Sequence, residues 1–364
     1  MILLLLTLLL GVPPVQAQPA DTTTALSPDT SVTGNRQSAD WLLLPYASYA
    51  PKTKISAGGV AGYYLPGTAG QPTSSVQTTF TITQRRQIVI EVVPELYLFG
   101  GRWRAQGTFE ASHFPNSFYG IGGNTPGTAK EGYTARFLQL DARGQRRIHS
   151  NLRVGPRVFA RTGTVDPDSS AGLIAQNQVL GANGGKTIGL GGSVFWDSRN
   201  NLYYPTTGTY AEVVVTVFSA LWGSDYTYGR VTTDLRGYRS LGPGVLAAQI
   251  YTSSVAGNAP FQLLPMLGGS NLMRGYRGGR FRDDMFWTAQ AEYRFPLFWR
   301  FKGTAFASVG EVGPRLGSPL VNGVEAAVGL GGRLRLTEDG VHGRLDVAYS
   351  RSGIEFYISL GEAF

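Results

Sequence analysis

The chain has 364 residues, of which 49 are Gly, 18 are Tyr, 18 are Phe and none is Cys, and its net charge is +8. The lack of Cys excludes disulfides, thiolate chemistry and Cys-ligated metal sites. In a cytosolic protein this basic balance would favour a nucleic-acid partner. In an exported protein, which the N-terminus indicates here, it favours a basic pore lining and contacts with anionic lipid headgroups, so we expect no nucleic acid.

The N-terminal residues have the pattern of a signal peptide. Ile2 to Val12 form an apolar run that is too short to cross a bilayer but long enough for a signal-peptide core, although no Lys or Arg precedes it. Val15-Gln16-Ala17 then supplies short residues at the cleavage positions. The alternative, a buried N-terminal helix, is disfavoured by Pro13-Pro14. We predict a signal peptide over 1–17, a flexible periplasmic lead-in over 18–40, and no transmembrane helix in the mature chain.

From Trp41 to Phe364 the chain repeats strands of about ten residues, separated by turns and longer loops. In 102–112, and again in 342–350, apolar or small residues occupy one alternation and charged or polar residues the other. Alternation alone does not distinguish two folds. A soluble sandwich would expose its charged face to solvent, whereas a membrane barrel would turn that face towards its lumen. The strand length, the number of strands and the signal peptide favour the barrel.

We predict an all-β fold, a closed sixteen-stranded antiparallel transmembrane β-barrel over 41–364. An even number of strands leaves both ends of such a barrel in the periplasm, and closure matters because lipid cannot pair the backbone groups of a strand edge. By this parity the long connections 113–131, 161–185 and 256–283 lie on the external side. The predicted strands are 41–49, 54–64, 75–84, 88–98, 102–112, 132–142, 148–160, 186–197, 208–219, 225–238, 243–255, 284–296, 301–310, 323–335, 340–350 and 353–361.

The segment 272–283 is part of a long connection, is rich in Arg and Gly, and is followed directly by a strand pattern. Such a segment cannot build a core of its own, so it is either disordered or held by a surrounding wall. In the strand 284–296, Glu292 and Arg294 lie on the charged alternation, opposite Tyr293. We therefore predict that this basic external loop folds inward, into a wet lumen.

Four motifs follow one another along the second half of the chain. They are Asp197-Ser198-Arg199-Asn200-Asn201 with Tyr204-Pro205-Thr206-Thr207-Gly208, then Arg274-Gly275-Tyr276, then Glu292-Tyr293-Arg294-Phe295-Pro296, and finally the run from Phe356 to Phe364. Each is weak alone, but in this order and spacing they resemble the BamA/TamA outer-membrane assembly superfamily (the bacterial surface antigen family). The resemblance covers the barrel, about 41–364, and is strongest from 186 onward.

The resemblance implies roles for the basic loop and for the wall beside it. In that family the Arg of the loop tip reaches from an external loop into the lumen and pairs with acidic residues on the inner wall. Arg274, Gly275 and Tyr276 would then be the lumenal tip, and Glu292 would be an acidic partner on the following strand. The alternative for Arg274 is a solvated loop residue.

The second acidic position of the family belongs to a Phe-x-Asp-x-Gly motif one strand later, and the chain departs from it. The run here is Phe306-Ala307-Ser308-Val309-Gly310, so the expected anchoring wall is Glu292, Ser308 and Gly310. A hydroxyl accepts a hydrogen bond from guanidinium but supplies no charge, so we expect a loop that is held less firmly. Glu311 is a candidate substitute, although alternation puts it on the opposite face.

The end of the chain resembles the signal by which outer-membrane barrels are recognised for assembly. Phe356, Ile358, Leu360 and Phe364 fall on one alternation, and together with Gly361 they form the predicted assembly signal. The chain would then be a client of the barrel assembly machinery. Gly361 and the polar residue after it would leave the closing seam short, and in the superfamily a weak seam between the first and last strands is the proposed site of lateral opening.

We find no pattern that indicates an enzyme. His113, His149 and His342 are far apart in the sequence, and the chain has no Ser/His/acid cluster, no metal-ligand spacing and no phosphate loop. Outer-membrane phospholipases and proteases are also barrels, so an enzyme stays open as an alternative. We expect no catalytic residues, no cofactor and no metal site.

The resemblance implies a protein of the cell outer membrane that assists the insertion or passage of proteins or lipids. The alternative is a narrow plugged pore or a structural barrel without insertase activity. Members that insert other barrels carry periplasmic POTRA domains ahead of the barrel, whereas 18–40 leaves no room for one, so the chain resembles the barrel-only subset. Expected partners are outer-membrane lipids, the barrel assembly machinery, and a periplasmic or exported protein.

Overall fold

The computed structural model describes residues 40–65, 73–314, 323–337 and 340–364. The predicted signal peptide, and the lead-in up to residue 39, lie outside this part. Within it the strands are β1 (Asp40–Ala50), β2 (Lys54–Tyr64), β3 (Ser75–Thr83), β4 (Ile88–Leu98), β5 (Trp103–Phe118), β6 (Glu131–Arg147), β7 (Leu152–Pro167), β8 (Gly184–Asp197), β9 (Gly208–Phe218), β10 (Tyr228–Leu241), β11 (Gly244–Gly257), β12 (Met266–Leu267), β13 (Phe281–Arg282), β14 (Met285–Pro296), β15 (Phe301–Gly313), β16 (Glu325–Arg335), β17 (His342–Ser350) and β18 (Gly353–Leu360).

All of the strands in the described ranges except β12 and β13 form one closed antiparallel barrel of sixteen strands. The predicted fold is therefore confirmed. Each wall strand pairs with its neighbour in the chain, and β11 pairs with β14 because β12 and β13 leave the wall and form a small sheet of their own. This small sheet belongs to the connection that carries the basic loop.

The strands β5, β6 and β7 extend further than the alternation predicted. The predicted connections 113–131 and 161–185 are wrong in their bounds, since β5 ends at Phe118 and β7 at Pro167. The physical reason is packing at the end of the barrel. Phe114 and Phe118 are buried, and the Phe118 ring lies 5.0 Å from the ring of Phe261, in the connection after β11. These contacts stabilise strand pairing beyond the length that a bilayer requires.

The barrel carries its apolar face outside and its charged face inside. On β16 and β17, Leu330 and Leu345 are exposed at 67% and 50%, whereas Arg333, Arg344 and Asp346 on the other alternation are buried. A buried charge is costly unless it is paired and hydrogen-bonded. Pairing inside the wall meets this requirement, since the guanidinium of one buried arginine, Arg157, donates two hydrogen bonds of 2.9 Å to the carboxylate of Asp141. This arrangement matches a membrane barrel.

At the end of the barrel that carries the basic loop, the connections between strands are hydrogen-bonded to one another. The amide of Gly122 donates to the carbonyl of Arg282 over 2.8 Å, and the amide of Phe261 donates to the carbonyl of Leu180 over 2.8 Å. The guanidinium of Arg280 donates to the carbonyl of Thr125 over 2.7 Å. The base of the basic loop is therefore held from two sides by neighbouring connections.

The orientation of the wall can be tested at the centre of β16. Leu330→Arg would place a charge among lipid chains, so we expect the free energy of unfolding to fall by about 2–4 kcal/mol, measured by urea titration in phospholipid vesicles. Leu330→Ala is the matched control, since it removes the side chain without adding a charge. If this face were in water, the Arg variant would be about as stable as the control.

Candidate functional site

The tip of the basic loop meets the inward face of the strands that follow it. Arg274 is 1% exposed, and its Nη2 donates to Oε2 of Glu292 on β14 over 2.5 Å. Its Nη1 donates to Oδ2 of Asp346 on β17 over 2.7 Å. One planar guanidinium thus bridges carboxylates from two separate strands, a geometry that the point charge of a lysine could not reproduce.

The wall around the tip also contacts it through an aromatic ring and through the backbone of Gly275. The ring of Phe306 lies under the Arg274 guanidinium, with 3.6 Å between the guanidinium carbon and the ring centre, which adds a cation–π attraction. Gly275 has a φ of +107°, and a Cβ there would lie 3.1 Å from the Cβ of Ala327. Its amide donates to the hydroxyl of Tyr357 over 2.9 Å. This position therefore requires glycine for both its backbone angle and its close approach to the wall.

Tyr276 is the third residue of the tip and is fully buried. Its hydroxyl donates to Oε2 of Glu325 on β16 over 2.5 Å. Burial first, and then the hydrogen bond to Glu325, raise the pKa of Tyr276 to about 12. The phenol therefore stays protonated and remains a donor. Glu325 also pairs with Arg351, so this carboxylate ties the tip to the turn between β17 and β18.

The second carboxylate that binds Arg274 is Asp346. The expectation that Ser308 would accept a hydrogen bond from the loop tip is wrong. Ser308 is buried on the inward face of β15, but its hydroxyl has no hydrogen-bond partner among the described residues. Asp346 can approach because a Cβ at Gly331 would lie 2.2 Å from its Oδ1, so the glycine leaves the space that the carboxylate fills. The alternation had placed Asp346 on the charged face, and that signal was available in the sequence.

Gly310, the other expected wall residue, lies against the loop just before its tip. A Cβ at this position would be 3.2 Å from the sulfur of Met273 and 2.5 Å from the carbonyl oxygen of Trp287. Only a glycine therefore lets the fully buried Met273 pack this close to β15. Glu292 and Gly310 both lie beside the loop, whereas Ser308 makes no bond to it.

Sequence reasoning missed the contacts made by the residues just before the tip. The Nη2 of Arg344 on β17 donates to the carbonyl of Ser270 over 3.1 Å and to Oδ1 of Asn271 over 3.0 Å. The side-chain Nε2 of Gln290 on β14 donates to the carbonyl of Asn271 over 2.8 Å. Both wall residues lie on the charged alternation, but their partners, two backbone carbonyls and one side-chain amide oxygen, belong to a loop, which no periodicity identifies.

The pair of Arg274 with Glu292 belongs to a larger buried network of alternating charges. Oε1 of Glu292 accepts from Nη2 of Arg294 over 2.7 Å, and Oδ1 of Asp346 accepts from Nη1 of Arg333 over 2.6 Å. The Nε of Arg333 also donates to Oε2 of Glu362 over 2.7 Å. Among the described residues, these bonds link three arginines to three carboxylates, so every charge has an opposite neighbour in a place where an unpaired one would be costly.

The last four residues, Gly361 to Phe364 (the tail), leave the barrel wall. Gly361 has a φ of +74°, which turns the chain inward after β18. Phe356 and Ile358 face outward at 50% and 40% exposure, whereas Phe364 is 4% exposed and packs with Tyr238. Leu360 is also buried, at 8% exposure, so the expected single face is wrong for both Leu360 and Phe364, and beyond Leu360 the glycine breaks the strand period. The role of these residues as an assembly signal stays a prediction.

The barrel closes at a short seam, the junction between β1 and β18. In the described part of the chain, β1 faces β18 in register only at Tyr49 and Ile358. By contrast, β1 is paired with β2 along its whole length, from Asp40 to Ala50. The seam is thus the weakest junction in the described wall.

The turn between β8 and β9, which carries the first motif, is held by its own side chains. Arg199 donates to both carboxylate oxygens of Asp197 over 2.9 and 2.7 Å, and Oδ1 of Asn201 accepts from the amide of Tyr204 over 2.8 Å. The ring of Tyr204 lies 3.3 Å from Nζ of Lys302 and 4.7 Å from the ring of His342. The turn thus reaches across to β15 and β17.

Comparison with known proteins places this geometry in a family. The model of the Omp85 superfamily domain matches residues 68–364. Among solved structures, BamA from Haemophilus ducreyi lacking POTRA domains 1–3 has a TM-score of 0.64 and 14% identity, over 89% of this chain and 70% of that one. CdiB from Acinetobacter baumannii has a TM-score of 0.58 and 10% identity, over 89% of this chain and 60% of that one. At these identities both likenesses show the fold alone.

No curated protein matches the chain at a significant level. In the part of the chain that the structure describes, no helix is long and apolar enough to cross a membrane. In the same part, no three or more His, Asp or Glu side chains are grouped so that they could hold a metal ion.

The bridge made by Arg274 can be tested with a double-mutant cycle. Arg274→Ala should lower the free energy of unfolding on the order of 3 kcal/mol, because two buried carboxylates lose a shared cation. Asp346→Ala should also destabilise, and the double variant should cost less than the sum, because the two residues share one contact. Urea unfolding in vesicles measures all three. Arg277→Ala, in the same loop but outside the bridge, is the control, and its effect should add to that of Asp346→Ala. Strict additivity of the Arg274 and Asp346 substitutions would contradict the bridge.

Proposed function

Because the chain belongs to the Omp85 superfamily, we propose that it assists the insertion or passage of proteins or lipids at the outer membrane by opening its barrel wall. The observation that carries this proposal is the seam, where the described residues of β1 and β18 are in register only at Tyr49 and Ile358. Opening a wall elsewhere would break a full ladder of hydrogen bonds. At the seam the barrel has little pairing to lose.

The free edge of β1 supports a role in handling other strands. From Trp41 to Ser48 its backbone groups on the side of β18 are without a registered strand partner in the described chain. Lipid cannot satisfy such groups, and an added strand can. Trp41 and Leu43 are exposed at 67% and 72%, so the outer face of this edge is apolar. The edge thus suits a strand that has one apolar face, which is what an entering barrel strand presents.

The lumen is the other route, and the loop tip obstructs it. Arg274 and Tyr276 are buried against β14, β16 and β17, and their bonds to Glu292, Asp346 and Glu325 would all have to break before a polypeptide could pass. This cost favours the seam as the route for macromolecules. It also supports the second candidate function, a narrow plugged pore or a structural barrel without insertase activity.

The proposal carries partners and a location with it. The apolar outer face requires the lipids of the outer membrane, and we propose that the barrel assembly machinery inserts the chain there. A periplasmic or exported protein is the proposed client or helper. The role is not catalytic and needs no cofactor.

A disulfide across the seam tests the route, since the sequence contains no native Cys. Tyr49→Cys combined with Ile358→Cys joins the registered pair of β1 and β18. The test measures how fast an unfolded outer-membrane barrel inserts into vesicles that contain the protein. We expect the reduced variant to accelerate insertion, the oxidised variant to lose most of that acceleration, and reductant to restore it.

The matched control for the seam is Leu235→Cys with Ile250→Cys, a registered outward-facing pair of β10 and β11, neither of which is a seam strand. Oxidation of this pair should leave insertion unchanged. Full acceleration by the oxidised seam variant would contradict the seam as the route. A lack of acceleration by the unmodified protein would favour the plugged pore or structural barrel.

A further inference from the structure

Two buried cations at the end of the barrel that carries the basic loop take no part in the network around Arg274. Lys52 belongs to the turn between β1 and β2, and Arg282 belongs to β13, at the base of the basic loop. Each residue is 1% exposed. A buried cation is costly unless it is paired and hydrogen-bonded, so both side chains need acceptors.

The described parts of the chain supply few acceptors to these two cations. Nη1 of Arg282 donates to the carbonyl of Phe261 over 2.9 Å, and this acceptor is neutral. Nε and Nη2 of Arg282 have no hydrogen-bond partner within the described ranges, and neither has Nζ of Lys52. A buried donor without an acceptor is unfavourable, so a ligand that brings oxygens to these atoms would be stabilised.

Both cations lie over one cluster of buried aromatic rings, which includes Phe114, Phe118 and Phe261. Nζ of Lys52 lies 5.3 Å from the centre of the Phe114 ring. The guanidinium carbon of Arg282 lies 5.3 Å from the centre of the Phe118 ring and 5.7 Å from that of Phe261. These rings attract the charges through their faces but provide no oxygen acceptor for the N–H groups.

The electrostatic surroundings of Lys52 also favour an anion. Burial first, and then the positive charges of Arg282 and Arg277, lower the pKa of Lys52 to about 7. The charge of Glu110 opposes this shift but does not cancel it. The carboxylate of Glu110 already accepts a hydrogen bond from the hydroxyl of Ser112. A bound anion would favour the charged ammonium, which these surroundings disfavour.

The arrangement of the donors indicates the shape of the anion. Nε and Nη2 form one edge of the guanidinium of Arg282, a planar fork that binds two oxygens of one oxyanion. Gly279 leaves space beside this edge, since a Cβ there would lie 3.1 Å from Nη2. The ammonium of Lys52 requires a further oxygen. A phosphate group has enough oxygens for both side chains, whereas a halide is a single atom and a carboxylate has only the two that the fork would bind.

From these observations we propose that Lys52 and Arg282 form a binding site for a phosphate group. Arg282 binds two of its oxygens through Nε and Nη2, and Lys52 binds another. The bound group joins the turn that follows β1, a seam strand, to the base of the basic loop. This site goes beyond the proposed function and does not depend on it.

The phosphate group has two possible sources, since inorganic phosphate and the headgroup of a phospholipid present the same oxygens. The burial of both side chains favours inorganic phosphate. A headgroup would have to bring its acyl chains to the end of the lumen, where the wall faces charged side chains and not lipid. We therefore expect the small anion to bind and a lipid to bind no more tightly.

The first test is a reversal of stability in Lys52→Met, measured by urea unfolding in a maltoside detergent that carries no phosphate. Methionine replaces a buried ammonium by an apolar side chain of similar length, so without phosphate this variant should unfold at a higher urea concentration than the unmodified protein. Millimolar phosphate, with sodium chloride of equal ionic strength as the reference, should raise the midpoint of the unmodified protein and leave that of the variant unchanged.

The second test measures affinity directly, by isothermal titration of inorganic phosphate into the full protein. Lys52→Met and Arg282→Gln should each weaken binding at least about tenfold, since each removes a charged hydrogen-bond donor. Lys130→Gln is the matched control, because Lys130 is exposed in the connection between β5 and β6 at the same end of the barrel. It should bind phosphate as the unmodified protein does. Heat-modifiable gel mobility verifies that each variant is folded.

A parallel titration with a short-chain phosphatidic acid separates the two sources. Binding of the lipid alone, lost in both variants, would support the site and assign it to a headgroup. The inference is overturned if neither ligand binds, or if Lys52→Met and Arg282→Gln bind as tightly as the unmodified protein. It is also overturned if Lys52→Met is less stable than the unmodified protein without phosphate, because protein groups alone would then satisfy the ammonium. The rate of barrel insertion is a separate measurement, so the proposed function stands or falls independently.

Discussion

The lack of hydrogen-bonding partners in lipid is the constraint on which this structure depends. Backbone groups in the wall must pair with neighbouring strands, so the sheet closes, and charged side chains must face inward, where they can pair with one another. The bridge from Arg274 to Glu292 and Asp346 is the most direct result. It anchors the long connection between β11 and β14 by charges that would be unfavourable on the outer face.

The same network joins two features that are distant in the chain. Arg294 binds both Glu292 and the tail, and Arg333 binds both Asp346 and the tail, so the loop tip and the tail share their partners. A substitution at the loop tip therefore alters the surroundings of the arginines that bind the tail, and the reverse also holds. If either feature left, Arg294 would still pair with Glu292 and Arg333 with Asp346, but the network would lose the bonds that neutralise its remaining charge.

The tail explains why the wall closes weakly. Residues that continue inward after Gly361 cannot pair with β1, and β18 consequently ends at Leu360. The interior is tightly bonded, while the junction of β1 and β18 has one registered pair in the described chain. The favourable bonds of the tail inside the barrel thus come at the expense of strand pairing at the seam, which is the junction with the fewest registered pairs in the described wall.

The sequence by itself determined the sixteen strands, the closed barrel and the inward face of Glu292, Arg294 and Asp346, since a period of two reports the face on which each side chain lies. Tertiary structure decided the rest. Asp346, rather than Ser308, completes the bridge, because the distance between side chains on separate strands depends on how the ring closes and on the space left by Gly331. Phe364 turns inward because one left-handed glycine ends the alternation, and its pocket lies on strands more than a hundred residues earlier in the chain.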